Sequence, residues 1–299
     1  MRIRKPGKIR DGLWLLGNRE SSIYLLEGSS GSMIISGGMS YIVPDILEQF
    51  NRFDIDINQI SKILILHSHF DHVGVIPFLK RRRAEIEIYA SSRAWEIFSM
   101  PKAIATINRF GRDVAHNMGK DEIYKDYSLD WGEDINGHTV SDGDIIDLGD
   151  LDGYIYETPG HSSCAISLYI PQIKALFPSD SGGIPYGEII IASGNSNFTK
   201  YQESLERLKE LDVEYYCADH YGYVSGEESR TFIKQSIMSA KNYRTLMERI
   251  YSRSHNIETA ARELADLFYS ANNEYFLTPE IMEGVYRQMI RHIAENMQD

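Results

Sequence analysis

Short apolar runs separated by glycine-containing turns dominate the first 40 residues of the chain. The runs at 13–16, 23–26 and 33–35 have the length and composition of strands, and together they predict an antiparallel meander. A helical pattern of apolar residues follows Pro44. The next run, K-I-L-I-L at 62–66, is apolar after its first position, which predicts a strand buried on both faces.

The middle of the chain alternates between strand and helix patterns. These patterns predict the start of a helix at 73–79, a strand at 87–90, and a helix over 93–118 that is broken near Pro101 and Gly111. Further strands are predicted at 144–148, 154–158, 165–170 and 174–177, followed by a helix at 201–211 and a strand at 215–218. This succession indicates an α/β fold.

Beyond residue 225 every pattern is helical. Apolar stripes recur at helical spacing, and Thr278 with Pro279 supplies an N-cap and a first-turn residue for the last helix. We therefore expect one domain at 1–225 and a C-terminal helical cap at 226–299 packed on it. The stripes consist of Ile233, Ile237, Ala240, Met247 and Ile250; of Ile257, Ala261, Leu264 and Phe268; and of Met282, Val285, Tyr286, Met289 and Ile293.

Composition and charge limit the classes of partner. The chain has 42% hydrophobic and 25% charged residues, which are ordinary globular values, and its formal net charge is −12. This net charge argues against a protein that binds nucleic acid or an anionic membrane through bulk electrostatics, and we expect neither as a partner. The basic run at 80–83 is interpreted as a solvated helix end, where cations are favoured by the helix dipole.

The cysteines and the N-terminus bear on the location of the protein. Cys164 and Cys217 are far apart in sequence, which provides no disulfide framework and fits a reducing compartment. The basic N-terminus is not followed by an apolar segment, and no apolar run approaches the roughly 18 residues of a membrane span. We expect a cytoplasmic protein.

Four ionisable side chains crowd the turn after the predicted strand at 62–66. The sequence H-S-H-F-D-H places His67, His69, Asp71 and His72 within six residues. Imidazole and carboxylate are ligands of zinc and iron, and a strand end followed by a turn can direct the first two residues at one ion and the last two at a second. Two ions need further ligands, so this interpretation predicts isolated His and Asp residues at later strand ends.

The chain supplies such residues in three places. His161 follows the predicted strand at 154–158, Asp180 follows the strand at 174–177, and His220 follows the strand at 215–218. A single His beside a Pro-Gly turn is usually a turn residue, so each position alone is a weak signal. Their common placement after strands is a strong signal for a metal site.

These motifs resemble the metallo-β-lactamase superfamily over residues from about 10 to 225. The resemblance implies a four-layer αβ/βα sandwich with a C-terminal helical extension, in which 1–225 is the catalytic domain. It also implies two divalent metal ions, zinc or iron or alternatively manganese, since His and carboxylate ligands suit all three. In the superfamily pattern the first ion is bound by His67, His69 and His161, the second by Asp71, His72 and His220, and Asp180 bridges them.

Two positions depart from the superfamily pattern. Ser36, in S-G-G, stands where many members have an Asp in a D-x-G turn that supports the ligands, and Ser179 stands where a Gly often precedes the bridging Asp. Both departures bear on metal preference and affinity rather than on the fold.

The resemblance implies hydrolysis by a metal-activated hydroxide. Asp71 could orient the nucleophile or take up its proton, and Tyr221 could donate a hydrogen bond to the developing oxyanion, although a packed aromatic residue is the simpler interpretation of Tyr221. The layout of the ligands, the helix at 203–208 and the helical tail is similar to the thioesterase-like metallohydrolases of bacterial alkylquinolone signalling. We therefore predict an acyl-coenzyme A type thioesterase acting on a small acyl thioester or related ester.

Several other functions would fit the same residues. A lactonase or a phosphodiesterase would use the same fold, and a regulatory or binding protein could retain the metal site while acting through a partner. The C-terminal helices offer a surface for a homodimer. Aromatic and apolar residues of the tail could either line a tunnel for an acyl chain or simply pack the helices; these are Phe232, Tyr243, Met247, Phe268, Tyr269, Tyr275 and Phe276.

Overall fold

The computed structural model describes residues 1–297, which form two compact units. The first unit contains residues 1–157, 164–179 and 212–230, and the second contains residues 158–163, 180–211 and the chain from Thr231 onward. The compact units divide the chain differently from the predicted domains, because residues 158–163 and 180–211 group with the chain from Thr231 onward. The predicted boundary at 225/226 therefore stays a prediction.

Strands and helices alternate through most of the chain. The strands are β1 (Arg2–Ile3), β2 (Gly7–Arg10), β3 (Leu13–Gly17), β4 (Ser22–Gly28), β5 (Gly31–Ile35), β6 (Ile60–Leu64), β7 (Glu87–Ser91), β8 (His138–Val140), β9 (Ile145–Asp147), β10 (Asp152–Glu157), β11 (Ile166–Ile170), β12 (Ala175–Phe177), β13 (Ile184–Tyr186), β14 (Ile189–Ile191), β15 (Tyr215–Cys217) and β16 (Tyr223–Ser225). The α-helices are α1 (Val43–Arg52), α2 (Ile76–Arg82), α3 (Ser92–Phe98), α4 (Pro101–Asn117), α5 (Ile123–Asp126), α6 (Phe198–Leu208), α7 (Glu227–Ser254), α8 (Ile257–Ala271) and α9 (Pro279–Asn296). Short 3-10 helices lie at Ser40–Ile42, Ile57–Gln59, Phe70–His72 and Ser179–Gly182.

Two seven-stranded sheets lie in the first unit, together with helices α1 to α5. Sheet I has the order β2-β3-β4-β5-β6-β7-β8 and is antiparallel up to β5, then parallel from β5 to β8. Sheet II has the order β1-β16-β15-β12-β11-β10-β9, with one parallel pair, β12 and β15. The predicted meander and the α/β class are therefore confirmed.

The core of the first unit lies between the two sheets. Leu15 and Leu64 of sheet I and Leu168 of sheet II belong to one buried apolar cluster. Tyr24 and Phe177 meet across it edge to face, with ring centroids 5.3 Å apart. At about 25 cal/mol per Å² of buried apolar area, a cluster of this extent is the main stabilising contribution to the unit.

Most predicted elements are present, with corrections at particular residues. The helix predicted at 93–118 is interrupted between Phe98 and Pro101, but it is not broken at Gly111, which lies inside α4. A Cβ on Gly111 would lie 2.9 Å from the Tyr124 hydroxyl, so the glycine allows close packing rather than a break. The strands β1, β2, β8, β13, β14 and β16 were not predicted.

The basic run at 80–83 lies at the end of α2, as predicted. Lys80 donates to the carbonyl oxygens of Ala84 and Ile86, and Arg81 pairs with Asp134. These cations satisfy local carbonyl and carboxylate groups, which agrees with a helix end.

The second unit contains the hairpin β13–β14, helices α6, α8 and α9, and α7 from Thr231 onward. Thr278 caps α9 by accepting a hydrogen bond from Ile281, and Pro279 is its first residue, as predicted. Phe268 of α8 meets the rings of Tyr275 and Tyr286, so the tail aromatics pack against one another. None of the helices in the described part of the chain is long and apolar enough to cross a membrane.

Candidate metal centre

The turn that carries H-S-H-F-D-H is held by backbone hydrogen bonds to a glycine turn beside it. Gly37 donates to the carbonyl of His72 at 2.7 Å, and Gly74 donates to the carbonyl of Gly38 at 2.7 Å. A Cβ on Gly74 would lie 2.2 Å from the backbone nitrogen of Ser40, so only glycine permits this approach. The sequence therefore fixes the position of the turn through its glycines.

The turn lies where the two sheets of the first unit meet. The chain leaves β6 and continues through the buried residues Ile65 and Leu66, and Leu66 accepts a backbone hydrogen bond from Ile166 of β11. His220 enters from sheet II, because it follows β15 after two residues. Both sheets thus bring ligand-type side chains of the first unit to one edge.

Five of the predicted ligands belong to the first unit and are close together. His67 Nε2 lies 3.1 Å from His69 Nδ1. Asp71 Oδ2 lies 3.7 Å from His72 Nε2 and 3.5 Å from His220 Nε2. The ligand atoms of Asp71, His72 and His220 all lie within 4.8 Å of one another, a spacing that suits one ion.

The remaining two predicted ligands belong to the second unit. His161 Nε2 lies 3.4 Å from Asp180 Oδ2, and both side chains are buried. The turn before His161 is fixed by Gly160, whose Cβ would lie 2.2 Å from the Tyr201 backbone nitrogen. This pair also has the composition and spacing of metal ligands.

The imidazole rings are oriented from behind by hydrogen bonds at Nδ1. The Nδ1 of His72 lies 2.8 Å from Asp219 Oδ2, that of His161 lies 2.8 Å from the Ser193 carbonyl, and that of His220 lies 2.6 Å from the Glu20 carbonyl. Carboxylate and carbonyl oxygens only accept, so each ring donates its Nδ1–H and keeps the Nε2 lone pair. Metal-binding histidines have this arrangement, so the donor set fits divalent ions.

Asp219 was not predicted as part of the site. It is buried and its Oδ2 accepts from Ser36 and Ser179 as well as from His72. The sequence did carry a signal, because the strand at 215–218 is followed by an acidic residue directly before His220. The two departures from the superfamily pattern thus both contact this carboxylate.

Tyr221 lies in a buried turn of left-handed conformation, with φ of 63°. Its backbone nitrogen donates to the Arg19 carbonyl at 2.8 Å, and the Arg19 guanidinium lies 5.8 Å from the centre of its ring. These contacts describe a packed aromatic side chain; the role of Tyr221 as an oxyanion donor stays a prediction.

One buried tyrosine, Tyr24, contacts the turn of His220, and another, Tyr201, packs against Gly160 beside His161. Burial raises the pKa of Tyr24 well above its usual value, and burial likewise raises the pKa of Tyr201. Both phenols therefore stay neutral at physiological pH. The Tyr24 hydroxyl donates to the backbone of the turn at 218–222, which holds Asp219 and His220 in place.

Comparison with known proteins identifies the family to which the chain is similar. The model of the metallo-beta-lactamase superfamily matches residues 16–220. The chain is 23% identical over 220 residues to the metallo-beta-lactamase fold-containing protein ST1585 of Sulfurisphaera tokodaii, covering 73% of this chain and 78% of that protein. It is 26% identical over 218 residues to the human acyl-coenzyme A thioesterase MBLAC2, covering 68% and 72% of the two chains.

A solved structure shows the same fold. The metallo-beta-lactamase family protein TTHA1429 of Thermus thermophilus aligns with a TM-score of 0.69 at 15% identity, over 97% of this chain and 95% of that one. The alignment therefore includes the C-terminal helices as well as the two sheets. Since the family model covers more than half of the chain and the fold agrees, the protein belongs to the metallo-β-lactamase superfamily of metal-dependent hydrolases.

Proposed function

We propose that the chain is a dinuclear metal-dependent hydrolase that cleaves an acyl thioester. The observation that carries the proposal is the anchoring of three buried imidazoles, those of His72, His161 and His220, at Nδ1 by acceptor-only groups. Rings held in this way present Nε2 lone pairs for divalent ions. Histidines that only pack in a protein core would not all require the tautomer with hydrogen on Nδ1.

We propose that each metal ion is bound by the residues that the superfamily pattern implies. His67, His69 and His161 would hold one ion, while Asp71, His72 and His220 would hold the other. Asp180 would bridge the two ions. The close contacts within each compact unit support this assignment: His67 with His69, Asp71 with His72 and His220, and His161 with Asp180.

Bound divalent ions supply an acidic water near neutral pH and polarise a substrate carbonyl. Among the residues of the chain, Asp71 is proposed to orient the attacking water and to accept its proton at a carboxylate oxygen. The water oxygen bonds to the acyl carbon, the carbon–sulfur bond breaks, and the proton passes to the thiolate. Tyr221 is the proposed donor to the carbonyl oxygen as charge develops on it.

The preference for a thioester is supported by the relatives rather than by the donor set. A protein with 26% identity over most of the chain is named an acyl-coenzyme A thioesterase. A lactonase or a phosphodiesterase would use the same ligands, and a regulatory protein could keep the site without turnover. A cytoplasmic location and a homodimer formed through the C-terminal helices also stay predictions.

Metal analysis combined with a substrate panel tests the proposal. The purified protein is analysed for zinc, iron and manganese, then assayed on acyl-coenzyme A, an acyl lactone and bis-nitrophenyl phosphate. We expect two ions per chain and turnover of the thioester. His69→Ala should reduce that turnover by more than the roughly 100-fold typical of losing a supporting residue.

The exposed His116 on α4 provides the matched control, and His116→Ala should leave turnover unchanged. Preferred cleavage of the lactone or the phosphodiester would replace the thioesterase proposal by that activity. Two bound ions without turnover of any substrate would favour the regulatory protein.

A further inference from the structure

The carboxylate of Asp219 gathers three hydrogen-bond donors on one buried oxygen. Its Oδ2 lies 2.5 Å from Ser179 Oγ, 2.8 Å from His72 Nδ1 and 3.0 Å from Ser36 Oγ. All four residues belong to the first unit and are buried. The side chain therefore acts as the centre of a small polar network directly behind the ligand His72.

The directions of these hydrogen bonds follow from the number of protons available. A carboxylate accepts only, so Ser179 must give its single hydroxyl proton to Asp219. The Ser179 oxygen is then an acceptor for His67 Nδ1, which lies 3.0 Å away. The same carboxylate accepts directly from His72 Nδ1. Both imidazoles are thereby held with a hydrogen on Nδ1 and a lone pair on Nε2.

The backbone indicates that the Ser179 hydroxyl is used. Ser179 has a φ of 49° and Ser36 a φ of 66°, in the left-handed region that favours glycine. A glycine at either position would adopt this conformation without cost. A serine kept in such a conformation, with its hydroxyl on a buried carboxylate, is explained by the hydrogen bonds it makes.

We propose that Asp219 is a positioning residue that fixes the tautomers of His67, through Ser179, and of His72 directly. Supplied from the end of β15, it takes over the support that an acidic residue at the position of Ser36 would give. The proposal rests on the metal-binding part of the proposed function. Because His67 and His72 are assigned to different ions, one carboxylate would support both.

Ser179→Gly tests the proposal in a variant that relieves backbone strain instead of adding it. In the metal-free protein, long-range ¹H–¹⁵N NMR reports the tautomer of each imidazole, with His67 and His72 assigned from spectra of their Gln variants. We expect the Nδ1–H tautomer at both residues of the wild type. In Ser179→Gly we expect that tautomer to be lost at His67 and kept at His72.

Zinc affinity, measured by competition with a chelator, provides the second readout. We expect roughly a 10- to 100-fold loss in Ser179→Gly and in Asp219→Asn. The thermal midpoint of metal-free Ser179→Gly should change little, since relief of the backbone strain at this position opposes the loss of the two hydrogen bonds of the hydroxyl. Asp54→Gly is the matched control: Asp54 is exposed with a φ of 56°, so the same strain is relieved without any change in zinc affinity.

Wild-type affinity in Ser179→Gly, or an unchanged His67 tautomer in that variant, would overturn the proposal. The same holds for an Nε2–H tautomer at His67 or His72 in the wild type. These results do not depend on substrate: wild-type protein that binds zinc but cleaves no thioester contradicts the thioesterase and leaves the role of Asp219 standing.

Discussion

The hydroxyl of Tyr24 donates a hydrogen bond to the carbonyl oxygen of Ala218 at 2.7 Å. Tyr24 lies on β4 in the middle of sheet I, whereas Ala218 opens the turn after β15 of sheet II. The carbonyl of Gly222, at the other end of that turn, lies 2.9 Å from the same hydroxyl. One phenol therefore fixes the turn that carries His220.

Tyr24→Phe should lower the free energy of unfolding by about 1–3 kcal/mol, because it removes the hydroxyl that donates to the buried carbonyl of Ala218, whereas the carbonyl of Gly222 still accepts from the backbone nitrogen of Ala218. Urea titration monitored by tryptophan fluorescence measures the change. The half-exposed Tyr154 on β10 provides the control, and Tyr154→Phe should change stability by less than about 0.5 kcal/mol. Equal stability of Tyr24→Phe and wild type would show that the hydroxyl is not needed to hold the turn.

Gly74→Ala should destabilise the protein by about 1–3 kcal/mol or prevent folding. Its Cβ would lie 2.2 Å from the Ser40 nitrogen and 2.6 Å from the Met39 carbonyl carbon, so backbone must move. Gly284→Ala is a matched change inside α9, where nothing lies within 4 Å, and should stabilise by about 0.5–1 kcal/mol. Thermal midpoints of the two variants should therefore shift in opposite directions.

His69→Ala and Asp180→Ala should lose metal and activity while the fold survives. The large apolar core between the two sheets does not involve either side chain. Circular dichroism and urea midpoints of the variants should match those of wild-type protein stripped of metal by a chelator. An unfolded metal-free protein would contradict this expectation and would indicate that metal binding and folding are coupled.

The free energy of unfolding should fall in alkaline solution, because buried tyrosines resist ionisation in the folded state. Burial raises the pKa of Tyr41 to about 12, so the folded state keeps its phenolic proton when the unfolded chain has already lost it. The contribution is constant below about pH 10 and is lost as the pH rises from there towards 12, by roughly 1.4 kcal/mol per pH unit for one group. Tyr41→Phe should make the decline shallower in urea titrations at about pH 9 and about pH 11. If the stability of Tyr41→Phe fell with pH as steeply as that of the wild type, the alkaline loss of stability would come from other residues.

The α/β class and the helical tail could be predicted because both depend on local periodicity. The strand ends before His67 and His220 were predicted on the same basis, and in the structure each residue follows its strand after two intervening residues. Asp219 was missed because its partners, Ser36 and Ser179, are far away in sequence and meet it only after both sheets have formed. The sequence wrongly predicts a helix break at Gly111 for a related reason: the Tyr124 hydroxyl that requires a glycine there lies outside the helix.

Asp219 and His220 are consecutive residues on one turn, and this has a consequence for the kinetics of ion exchange. Local opening of residues 218–222 would withdraw His220 and, in the same motion, the acceptor of His72. Both rings would then lose their fixed orientation together. Exchange of the ion that we propose for these histidines should therefore occur in one step, at a rate set by opening of the turn and slowed by the Tyr24 hydrogen bonds that close it.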